Sequence, residues 1–454
     1  MAYKTIYPYN NKVLKEYENA SDEDLEQALS AGHQVYQQWR TEDPRSRGVI
    51  LQKVADLMKQ KRTDLAKAMT YDMGKLLTES LGEVDLCIWI AEYYAEHGSY
   101  LLQPEPLDTK KGHGYYLKQA TGVLVAVEPW NFPLYQVMRV FAPNFMVGNP
   151  IILKSASICP TSVQMFADLV QDAGAPKGAF TNLFIDYDQV ARAIEDPRVA
   201  GVCLTGSERA GASVAQSAGK ALKKSTLELG GNDAFIILAD ADWNELKQVV
   251  PQARLYNAGQ VCTSSKRFIV MDSMYDQFLE ILQTAFSQVK MGDPMDEATT
   301  LAPLSSKGAK EKLQSQVDAA IAGGAKVYYG NQPVDLPGQF FQPTILTDIA
   351  HDNPIFDQEL FGPVASVYRV HDEAEAIALA NDSSYGLGGT VFSSDLEHAK
   401  KVAAQVETGM SFINAGWSST PDMPFGGIKN SGYGRELSAL GIESFINYHL
   451  VLEP

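Results

Sequence analysis

The sequence predicts an α/β fold in which parallel sheets carry helices on both faces. Apolar runs typical of buried strands, such as TGVLVAVEPW from Thr121 and PIILKSA from Pro150, alternate with helical segments. The helical segment at 161–173 places its apolar residues on one face. A second alternating series runs from Asp233 to about Asn414. Strand–helix–strand alternation of this kind is typical of parallel sheets covered by helices.

The elements follow one another without a repeat or a flexible linker. Helical patterning dominates the first hundred residues, and Ser21 before three acidic residues predicts a helix N-terminus. After the strands at Thr121 and Pro150, a helix is predicted near Val190, followed by the strand VAGVCL. The end of the chain, NYHLVLEP, reads as a strand without a local partner. We therefore expect this strand to pair with another subunit.

Length and charge limit the class of protein. The chain has 454 residues, which corresponds to about three domain-sized units. Its net charge of −17 makes it a poor partner for nucleic acids and for anionic membranes, because both reward clustered lysine and arginine. A few local cations would still suffice to bind a negatively charged small molecule.

Cysteine usage and hydropathy indicate a reduced, cytoplasmic protein. The four cysteines are widely spaced, and they form no metal-ligand pattern with the seven histidines. The first residues lack the apolar core of a signal peptide, and no run of about 18 apolar residues predicts a membrane helix. We expect no bound metal and no membrane partner.

A glycine turn after the strand VAGVCL is the first candidate binding site. Gly206 and Ser207 lie between this strand and a helix. Such a turn suits a phosphate, because glycine lets the backbone approach and the helix N-terminus offers free N–H groups. The same pattern also occurs in plain strand-to-helix connections. Lys154 could contact a ribose or a phosphate, although a lone lysine of this kind is also typical of a solvated surface.

Three residues could carry chemistry. Cys262 follows a helix break at Gly259 and Gln260, which would expose its thiol, whereas a lone cysteine is otherwise a small buried hydrophobe. Glu228 is a charged residue inside an apolar segment, so it needs a partner or a role. Asn131 lies in an aromatic turn and could donate to an oxyanion, or could simply form the turn.

In combination, these motifs resemble the aldehyde dehydrogenase superfamily over essentially the whole chain. The matching segments are PWNFP at Pro129–Pro133, Lys154, TGS at Thr205–Ser207, LELGG at Leu227–Gly231, GQVC at Gly259–Cys262, ELFGP at Glu359–Pro363 and PFGG at Pro424–Gly427. They occur in the order and at the spacing of the family. Chance agreement of seven motifs is negligible.

The resemblance implies a role for each matching residue. Cys262 would be the nucleophile, Glu228 the general base, and Asn131 the oxyanion donor together with the Cys262 N–H. The thiolate would attack an aldehyde, hydride would leave to a nicotinamide, and water would release the acid from a thioester. The residues that the resemblance assigns to the cofactor are Trp130, Lys154, Ser157, Gly206, Ser207, Leu229, Glu359 and Phe361, with Glu359 on the nicotinamide ribose.

The family fold implies three parts: a Rossmann-type cofactor domain, an α/β catalytic domain and a small β oligomerisation arm. The cofactor domain would comprise residues 1–101 and 122–228, and the catalytic domain residues 229–429. Residues 102–121 and 430–454 would form the arm. An arm of this kind implies a homodimer or a homotetramer.

The chain departs from the family pattern in the cofactor segment. Ser157 stands where the family commonly has a glutamate that binds both ribose hydroxyls, and Glu208 stands where threonine is frequent. A serine removes the repulsion of a 2′-phosphate, so we expect NADP to be used at least as well as NAD. Alternatively, Glu208 keeps the site negative and NAD is preferred. No second cysteine flanks Cys262.

Among the subfamilies, the chain resembles the short bacterial succinate-semialdehyde dehydrogenases. Arg139 matches one of their carboxylate-binding arginines, although an intramolecular ion pair is the alternative. Tyr256 replaces the second arginine. Ser418, Ser419 or Thr420 could donate a hydroxyl, and Ser419 is the candidate that we carry forward.

Other functions remain open at this point. The chain could oxidise another short aldehyde, such as glutarate semialdehyde or lactaldehyde, or could be a non-enzymatic structural protein with the same fold. A CoA-acylating dehydrogenase would keep the nucleophile without the base, and the presence of Glu228 argues against it. Retention of Cys262, Glu228 and Asn131 together argues against a structural protein.

Overall fold

The computed structural model describes residues 2–454. Its strands are β1 (Tyr3–Tyr7), β2 (Lys12–Tyr17), β3 (Glu105–Leu107), β4 (His113–Ala120), β5 (Val123–Glu128), β6 (Ile151–Ser155), β7 (Phe180–Asn182), β8 (Val199–Thr205), β9 (Lys224–Glu228), β10 (Ala234–Ile237), β11 (Arg267–Met271), β12 (Lys326–Tyr329), β13 (Thr344–Thr347), β14 (Val364–Val370), β15 (Tyr385–Gly386), β16 (Gly388–Phe392), β17 (Met410–Ile413), β18 (Ile428–Lys429), β19 (Gly432–Tyr433) and β20 (Ile446–Glu453).

The helices lie between these strands. They are α1 (Asp22–Trp39), α2 (Arg45–Gln60), α3 (Arg62–Met73), α4 (Leu77–Leu101), α5 (Tyr135–Val147), α6 (Pro160–Asp172), α7 (Tyr187–Glu195), α8 (Glu208–Lys220), α9 (Trp243–Leu255), α10 (Asp272–Ser287), α11 (Lys307–Ala322), α12 (Glu373–Asn381), α13 (Leu396–Ala403) and α14 (Ser438–Glu443). Within residues 2–454, no helix combines the length and the apolar character needed to cross a bilayer.

The first sheet has the strand order β19-β9-β8-β5-β6-β7. Its members from β5 to β9 are parallel, and only the short edge strand β19 is antiparallel to β9 within the described residues. Strands β5, β6 and β8 are buried almost throughout, which explains their continuous apolar runs. Because the strands are parallel, the segments that follow β5, β8 and β9 meet at one edge.

The second sheet has the order β12-β13-β14-β11-β10-β16-β17. Its strands are parallel except for β12, which pairs antiparallel with β13. The apolar residues of β10, β11 and β14 form a core with helices α9, α10 and α11. The predicted α/β class with parallel sheets is thereby confirmed, as is the capping of α1 by Ser21, whose side chain accepts from the Asp24 N–H.

A third, antiparallel sheet joins β3, β4 and β20. The terminal strand is not a lone strand, because β20 pairs with β4 of the same chain from Ile446–Ala120 to Glu453–His113. Its other edge carries no strand among residues 2–454, so the pairing of β20 with another subunit stays a prediction. Residues 430–454, which the family resemblance assigned to the arm, lie in three places of the structure. Strand β19 adds to the first sheet, and α14 packs against α5, so only β20 lies in the arm sheet.

The chain begins with a hairpin rather than with a helix. Strands β1 and β2 pair antiparallel, and β1 buries Tyr3, Thr5 and Tyr7 on one face. The Tyr3 hydroxyl donates to the carbonyl of Ile185 at 2.7 Å, and the Lys4 N–H donates to the carbonyl of Ser157 at 3.0 Å. The hairpin therefore packs on the loops that follow β6 and β7. Helical patterning starts only at α1.

Candidate functional site

A cleft lies at the shared edge of β5, β8 and β9, where it also meets loops of the second sheet. Its volume is about 450 Å³. The residues that line it are Pro129, Trp130, Asn131, Gln136, Thr205, Gly206, Ser207, Leu229, Gly230, Cys262, Ser305, Ser306, Gly308, Ala309, Lys312, Leu313, Glu359 and Phe361. Ligands of parallel α/β sheets bind at this edge, outside the carboxyl ends of the strands.

The loop that carries Cys262 has an unusual backbone. Helix α9 ends at Leu255, and Asn257, Ala258 and Gly259 then adopt left-handed conformations with φ of 51°, 52° and 73°. Glycine is required at 259, because a Cβ there would lie 2.4 Å from the carbonyl oxygen of Gly362. The helix break therefore precedes the predicted position by a few residues and brings the thiol into the cleft.

The Cys262 thiol differs from the other cysteines in exposure. Cys87, Cys159 and Cys203 are buried, as expected, whereas Cys262 is partly exposed. Burial of the Cys262 sulfur raises its pKa to about 12, and the cations of Lys266 and Arg139 oppose this shift. The thiolate that a nucleophile requires therefore depends on nearby positive charge.

Asn131 is fixed beside the loop that carries Cys262 by hydrogen bonds across the cleft. Its Nδ2 donates to the carbonyl of Gln260 at 3.0 Å, and its Oδ1 accepts from Gln136 Nε2 at 3.0 Å. In return, Asn257 Nδ2 donates to the Asn131 carbonyl at 2.9 Å. The amide thus has a defined orientation, and the second N–H of its Nδ2 has no acceptor within residues 2–454.

Glu228 lies at the end of β9 but does not line the cleft. Neither of its carboxylate oxygens has a hydrogen-bond partner within residues 2–454. A Cβ built at Gly426 would lie 2.6 Å from Glu228 Oε1, so the carboxylate occupies space that the glycine leaves free. Burial and then the Glu436 carboxylate raise the pKa of Glu228, while Arg139 and Arg435 lower it. A raised pKa is a property of a carboxyl group that exchanges protons near neutral pH.

Arg139 does not line the cleft either. Its Nε lies 2.6 Å from Glu436 Oε2, and both side chains are almost fully buried. The guanidinium carbon lies 4.1 Å from the ring centre of Phe425 and 4.8 Å from that of Tyr135. The structure therefore places Arg139 in an intramolecular ion pair, which is the alternative that the sequence left open for the predicted carboxylate-binding role.

Glu359, Phe361 and Trp130 form one wall of the cleft. The Phe361 and Trp130 rings meet edge to face, with their centroids 5.7 Å apart. Glu359 Oε1 accepts from the Gly231 N–H at 3.2 Å and lies 3.2 Å from Lys266 Nζ. The predicted glycine turn lies opposite along the same cleft, where Ser207 caps α8 through its hydroxyl. Gly206, Ser207 and Leu229 all line the cleft.

Lys154 and Ser157 lie outside the cleft lining. Lys154 is only 4% exposed, so the solvated-surface interpretation of this residue is wrong. Its Nζ donates to the carbonyl of Ser155 and lies near the rings of Tyr3 and Tyr187, but it forms no salt bridge within residues 2–454. Burial lowers the pKa of Lys154 to about 8. A buried ammonium without a carboxylate is suited to an incoming anion.

Tyr256 and Ser419 belong to an aromatic group next to Asn131. The Tyr256 ring stacks on Phe132 at 6.2 Å and meets Trp417 edge to face at 5.6 Å. Ser419 Oγ lies 2.5 Å from the Tyr135 hydroxyl. None of these side chains lines the cleft; Tyr256 and Trp417 pack against the core that contains Phe132 and Tyr135.

Sequence reasoning missed two lysines of the site. Lys312 lines the cleft from α11, and Lys266 is buried directly behind Cys262. The signal for Lys266 was visible: two cations, Lys266 and Arg267, stand at the start of the apolar strand β11. Buried cations in such a position require partners. For Lys312 there was no comparable signal, because a lysine on an amphipathic helix is ordinary.

Comparison with known proteins gives consistent matches over the full chain. The model of the family described as "Aldehyde dehydrogenase family" matches residues 1–451. A succinate-semialdehyde dehydrogenase [NADP(+)] of Deinococcus radiodurans is 46% identical over 99% of this chain and 94% of its own length. One from Mycobacterium avium is 40% identical over 98% of this chain and 96% of its own length.

Solved structures agree with these relatives. The crystal structure of succinic semialdehyde dehydrogenase from Streptococcus pyogenes in complex with NADP⁺ as the cofactor superposes with a TM-score of 0.99. The two sequences are 59% identical, and the match covers 100% of both chains. A structure of succinate-semialdehyde dehydrogenase from Burkholderia pseudomallei has a TM-score of 0.95 at 33% identity, covering 100% of this chain and 95% of the other.

Proposed function

The chain belongs to the aldehyde dehydrogenase family, and we propose that it oxidises succinic semialdehyde to succinate with NADP⁺ as the hydride acceptor. The observation that carries the chemistry is the position of a thiol, Cys262, beside a fixed amide donor, Asn131, in one cleft. Full-length similarity to NADP-dependent succinate-semialdehyde dehydrogenases supports the choice of substrate and cofactor.

We propose that Cys262 is the nucleophile. Its thiolate forms a bond to the aldehyde carbon, and the carbonyl oxygen takes the electron pair of the double bond. The free N–H of Asn131 and the Cys262 N–H donate to the resulting oxyanion. When the oxyanion collapses, hydride leaves the carbon and a thioester on Cys262 remains. NADP⁺, when bound, supplies the acceptor for this hydride.

We propose that Glu228 removes a proton from the water that hydrolyses the thioester. The water oxygen then bonds to the acyl carbon, the carbon–sulfur bond breaks, and the acid leaves. Because the carboxylate lies beside Gly426 rather than in the cleft, its side chain has to rotate toward Cys262 for this step. Its unpaired oxygens leave it free to do so.

The cofactor site fits a dinucleotide that carries a 2′-phosphate. We propose that Lys154 and Ser157 bind this phosphate, because Lys154 is a buried cation that forms no salt bridge within residues 2–454. Ser157 follows β6, two residues after Ser155, whose carbonyl accepts from Lys154 Nζ, and it carries no charge that would repel a phosphate. The N-terminus of α8 at Ser207 would bind the pyrophosphate, and Glu359 the nicotinamide ribose.

We propose that hydroxyl groups near Tyr135 bind the substrate carboxylate. We propose that Ser419 and Tyr256 donate to it. Tyr135 connects Ser419 to Arg139, since its hydroxyl bonds to Ser419 and its ring lies on the guanidinium. The charge of Arg139 would then favour the carboxylate from behind Tyr135, while its direct partner remains Glu436.

A spectrophotometric panel tests the proposed function. Reduced cofactor would be followed at 340 nm for succinic semialdehyde, glutarate semialdehyde, lactaldehyde and butanal, each with NADP⁺ and NAD⁺. We expect the highest kcat/KM for succinic semialdehyde with NADP⁺, because a site that hydrogen-bonds a carboxylate rejects an analogue that lacks it. Equal kcat/KM for butanal and succinic semialdehyde would contradict the assignment of succinic semialdehyde as the substrate. If turnover required CoA, the proposed release of the acid by hydrolysis of the thioester would be contradicted.

We also propose that the chain forms a homo-oligomer through the arm sheet. Tyr448, Leu450 and Leu452 alternate along β20 and are 48%, 62% and 52% exposed, so one face of the strand presents a row of apolar side chains. Such a row is typical of a surface that another subunit covers. Leu450→Glu should lower the mass measured by analytical ultracentrifugation, and an unchanged mass would contradict the proposal.

We propose the cytoplasm as the location, because all four cysteines are free thiols. Such thiols are typical of a reducing compartment. Fractionation of the source cells with an antibody against the chain tests this assignment.

A further inference from the structure

Lys266 holds the backbone of the nucleophile loop from behind. The residue is 1% exposed. Its Nζ donates to the carbonyl of Val261 at 2.8 Å and to that of Cys262 at 2.5 Å, and it lies 3.2 Å from Glu359 Oε1. One ammonium therefore contacts both the loop of the nucleophile and a carboxylate of the cleft wall. The proposed mechanism assigns no role to it.

The contact with Val261 determines where an N–H of the oxyanion site points. The carbonyl of Val261 and the N–H of Cys262 belong to the same peptide unit, which is planar and trans. Within such a unit, the two bonds point in opposite directions. An ammonium that holds the Val261 oxygen therefore fixes the direction of the Cys262 N–H and polarises it as a donor.

Both carboxylates and cations lie near the Lys266 ammonium. Glu359 faces it from the loop before β14, and Asp233 faces it from the segment before β10. Arg267, the next residue, donates instead to the carbonyls of Asn232, Leu379 and Ala380. Arg139 is a second cation near the thiol, but it is paired with Glu436. The electrostatic effect on the Cys262 thiol thus depends on the positive charge of Lys266 and on the opposing negative charges of Glu359 and Asp233.

We propose that Lys266 is a positioning residue that orients the Cys262 N–H toward the oxyanion and supplies the positive charge that favours the thiolate against Glu359. This inference rests on the proposed role of Cys262 as nucleophile. Burial raises the pKa of the Cys262 thiol, and Lys266 is the strongest influence that lowers it, whereas Glu359 and Asp233 raise it further. Lys266 and Glu359 therefore act on the thiol in opposite directions.

The test measures thiol reactivity rather than turnover. The rate at which iodoacetamide alkylates Cys262 would be followed by mass spectrometry against pH in the full-length protein without cofactor. We expect Lys266→Gln to slow alkylation at neutral pH at least tenfold, because loss of the cation raises the pKa of the Cys262 thiol and leaves less thiolate. Lys266→Arg should stay close to the parent, and Glu359→Gln should accelerate alkylation.

A comparison of two substitutions at 266 separates the effect of the charge from the effect of the hydrogen bond to the Val261 carbonyl. Gln at 266 retains a donor for the Val261 carbonyl without the charge, whereas Met removes both. We expect kcat with succinic semialdehyde to fall further in Lys266→Met than in Lys266→Gln, at similar KM for the aldehyde. Equal kcat in the two variants would overturn the orienting role.

The control is Lys307→Gln, because Lys307 is exposed at the start of α11 and pairs only with Glu311 among the described residues. It should leave the alkylation profile unchanged. An unchanged profile in both Lys266→Gln and Glu359→Gln would overturn the electrostatic role, and the second variant keeps this test valid if the first fails to fold. Labelling of another cysteine before Cys262 in the parent would instead overturn the proposed function itself.

Discussion

The carboxylate of Glu228 occupies the space that the missing side chain of Gly426 leaves free. A Cβ at 426 would lie 2.6 Å from Glu228 Oε1 and 2.9 Å from the carbonyl oxygen of Gly434. The φ of Gly426 is +150°, a conformation that other residues rarely adopt. The first glycine of the PFGG motif is thus required by the carboxylate of Glu228, the residue that we propose as general base.

Gly426→Ala is therefore expected to impair the enzyme in two ways. The backbone strain should lower the free energy of unfolding by more than about 1 kcal/mol. The added methyl group would also take the space from which the Glu228 side chain rotates toward Cys262, and the altered resting position should slow release of the acid. Urea denaturation and single-turnover kinetics measure the two effects. Gly219→Ala, where a Cβ meets no atom within 4 Å, is the matched control.

Glu228→Gln should slow acid release more than hydride transfer, because Glu228 is assigned to water activation in the second half of the reaction. Rapid mixing with succinic semialdehyde and NADP⁺ should then show a burst of absorbance at 340 nm followed by a slow steady state. If the burst and the steady state decline by the same factor, Glu228 is not the base of the hydrolytic step.

Arg139→Ala should strongly destabilise the protein. It leaves the buried Glu436 carboxylate without its partner, and breaking a buried pair in this way typically costs about 3–5 kcal/mol. The comparison is Arg369→Ala, because Arg369 pairs with Asp276 on the surface, where a loss below about 1 kcal/mol is expected. Similar losses in the two variants, measured by chemical denaturation, would contradict a tight buried pair.

Ser157→Glu should weaken the use of NADP⁺ selectively. The new carboxylate would lie beside the proposed 2′-phosphate, so we expect kcat/KM with NADP⁺ to fall at least tenfold, or about 1.4 kcal/mol. The value with NAD⁺ should change much less, and Ser157→Ala serves as the control for loss of the hydroxyl. An equal loss with both cofactors would place Ser157 outside the ribose pocket.

Binding of NADP⁺ should weaken at alkaline pH. Burial lowers the pKa of Lys154 to about 8, so its ammonium is charged below this pH and loses its proton above it. The Kd of NADP⁺, measured by calorimetry, should therefore rise above about pH 8 by up to tenfold per unit, while that of NAD⁺ should change less. Lys154→Arg should remove the dependence, because arginine remains charged. Parallel profiles for both cofactors would exclude Lys154 as the phosphate ligand.

Local sequence signals predicted the elements that depend on local physics. The cap at Ser21, the helix at α6 and the apolar strands of both sheets follow from neighbouring residues. The hairpin at β1 and β2 was missed because five residues with period-two burial give too short a signal beside the helical pattern that follows. The partner of β20 was missed because strand pairing over long sequence distances leaves no local trace.

Contacts between residues far apart in the sequence also limited what could be predicted about the site. The motif residues Asn131, Cys262 and Glu359 meet in one cleft, as their combined presence predicted. The partner of Arg139 could not be identified, because an ion pair depends on Glu436, which lies far along the chain. Likewise, the helix break before Cys262 was recognised, but the left-handed turn at Asn257 and Ala258 was not, since neither residue type requires it.

The hydrogen bond between Asn131 and the loop that carries Cys262 bears on the order in which structure and activity return during refolding. Asn131 and Gln260 are 129 positions apart and belong to loops of different sheets. Each sheet can acquire its strands and helices before the two are docked, because domains fold as units. The proposed oxyanion site, which needs Asn131 and Cys262 together, would exist only after docking. A refolding chain should therefore recover its circular dichroism first and its ability to turn over aldehyde last.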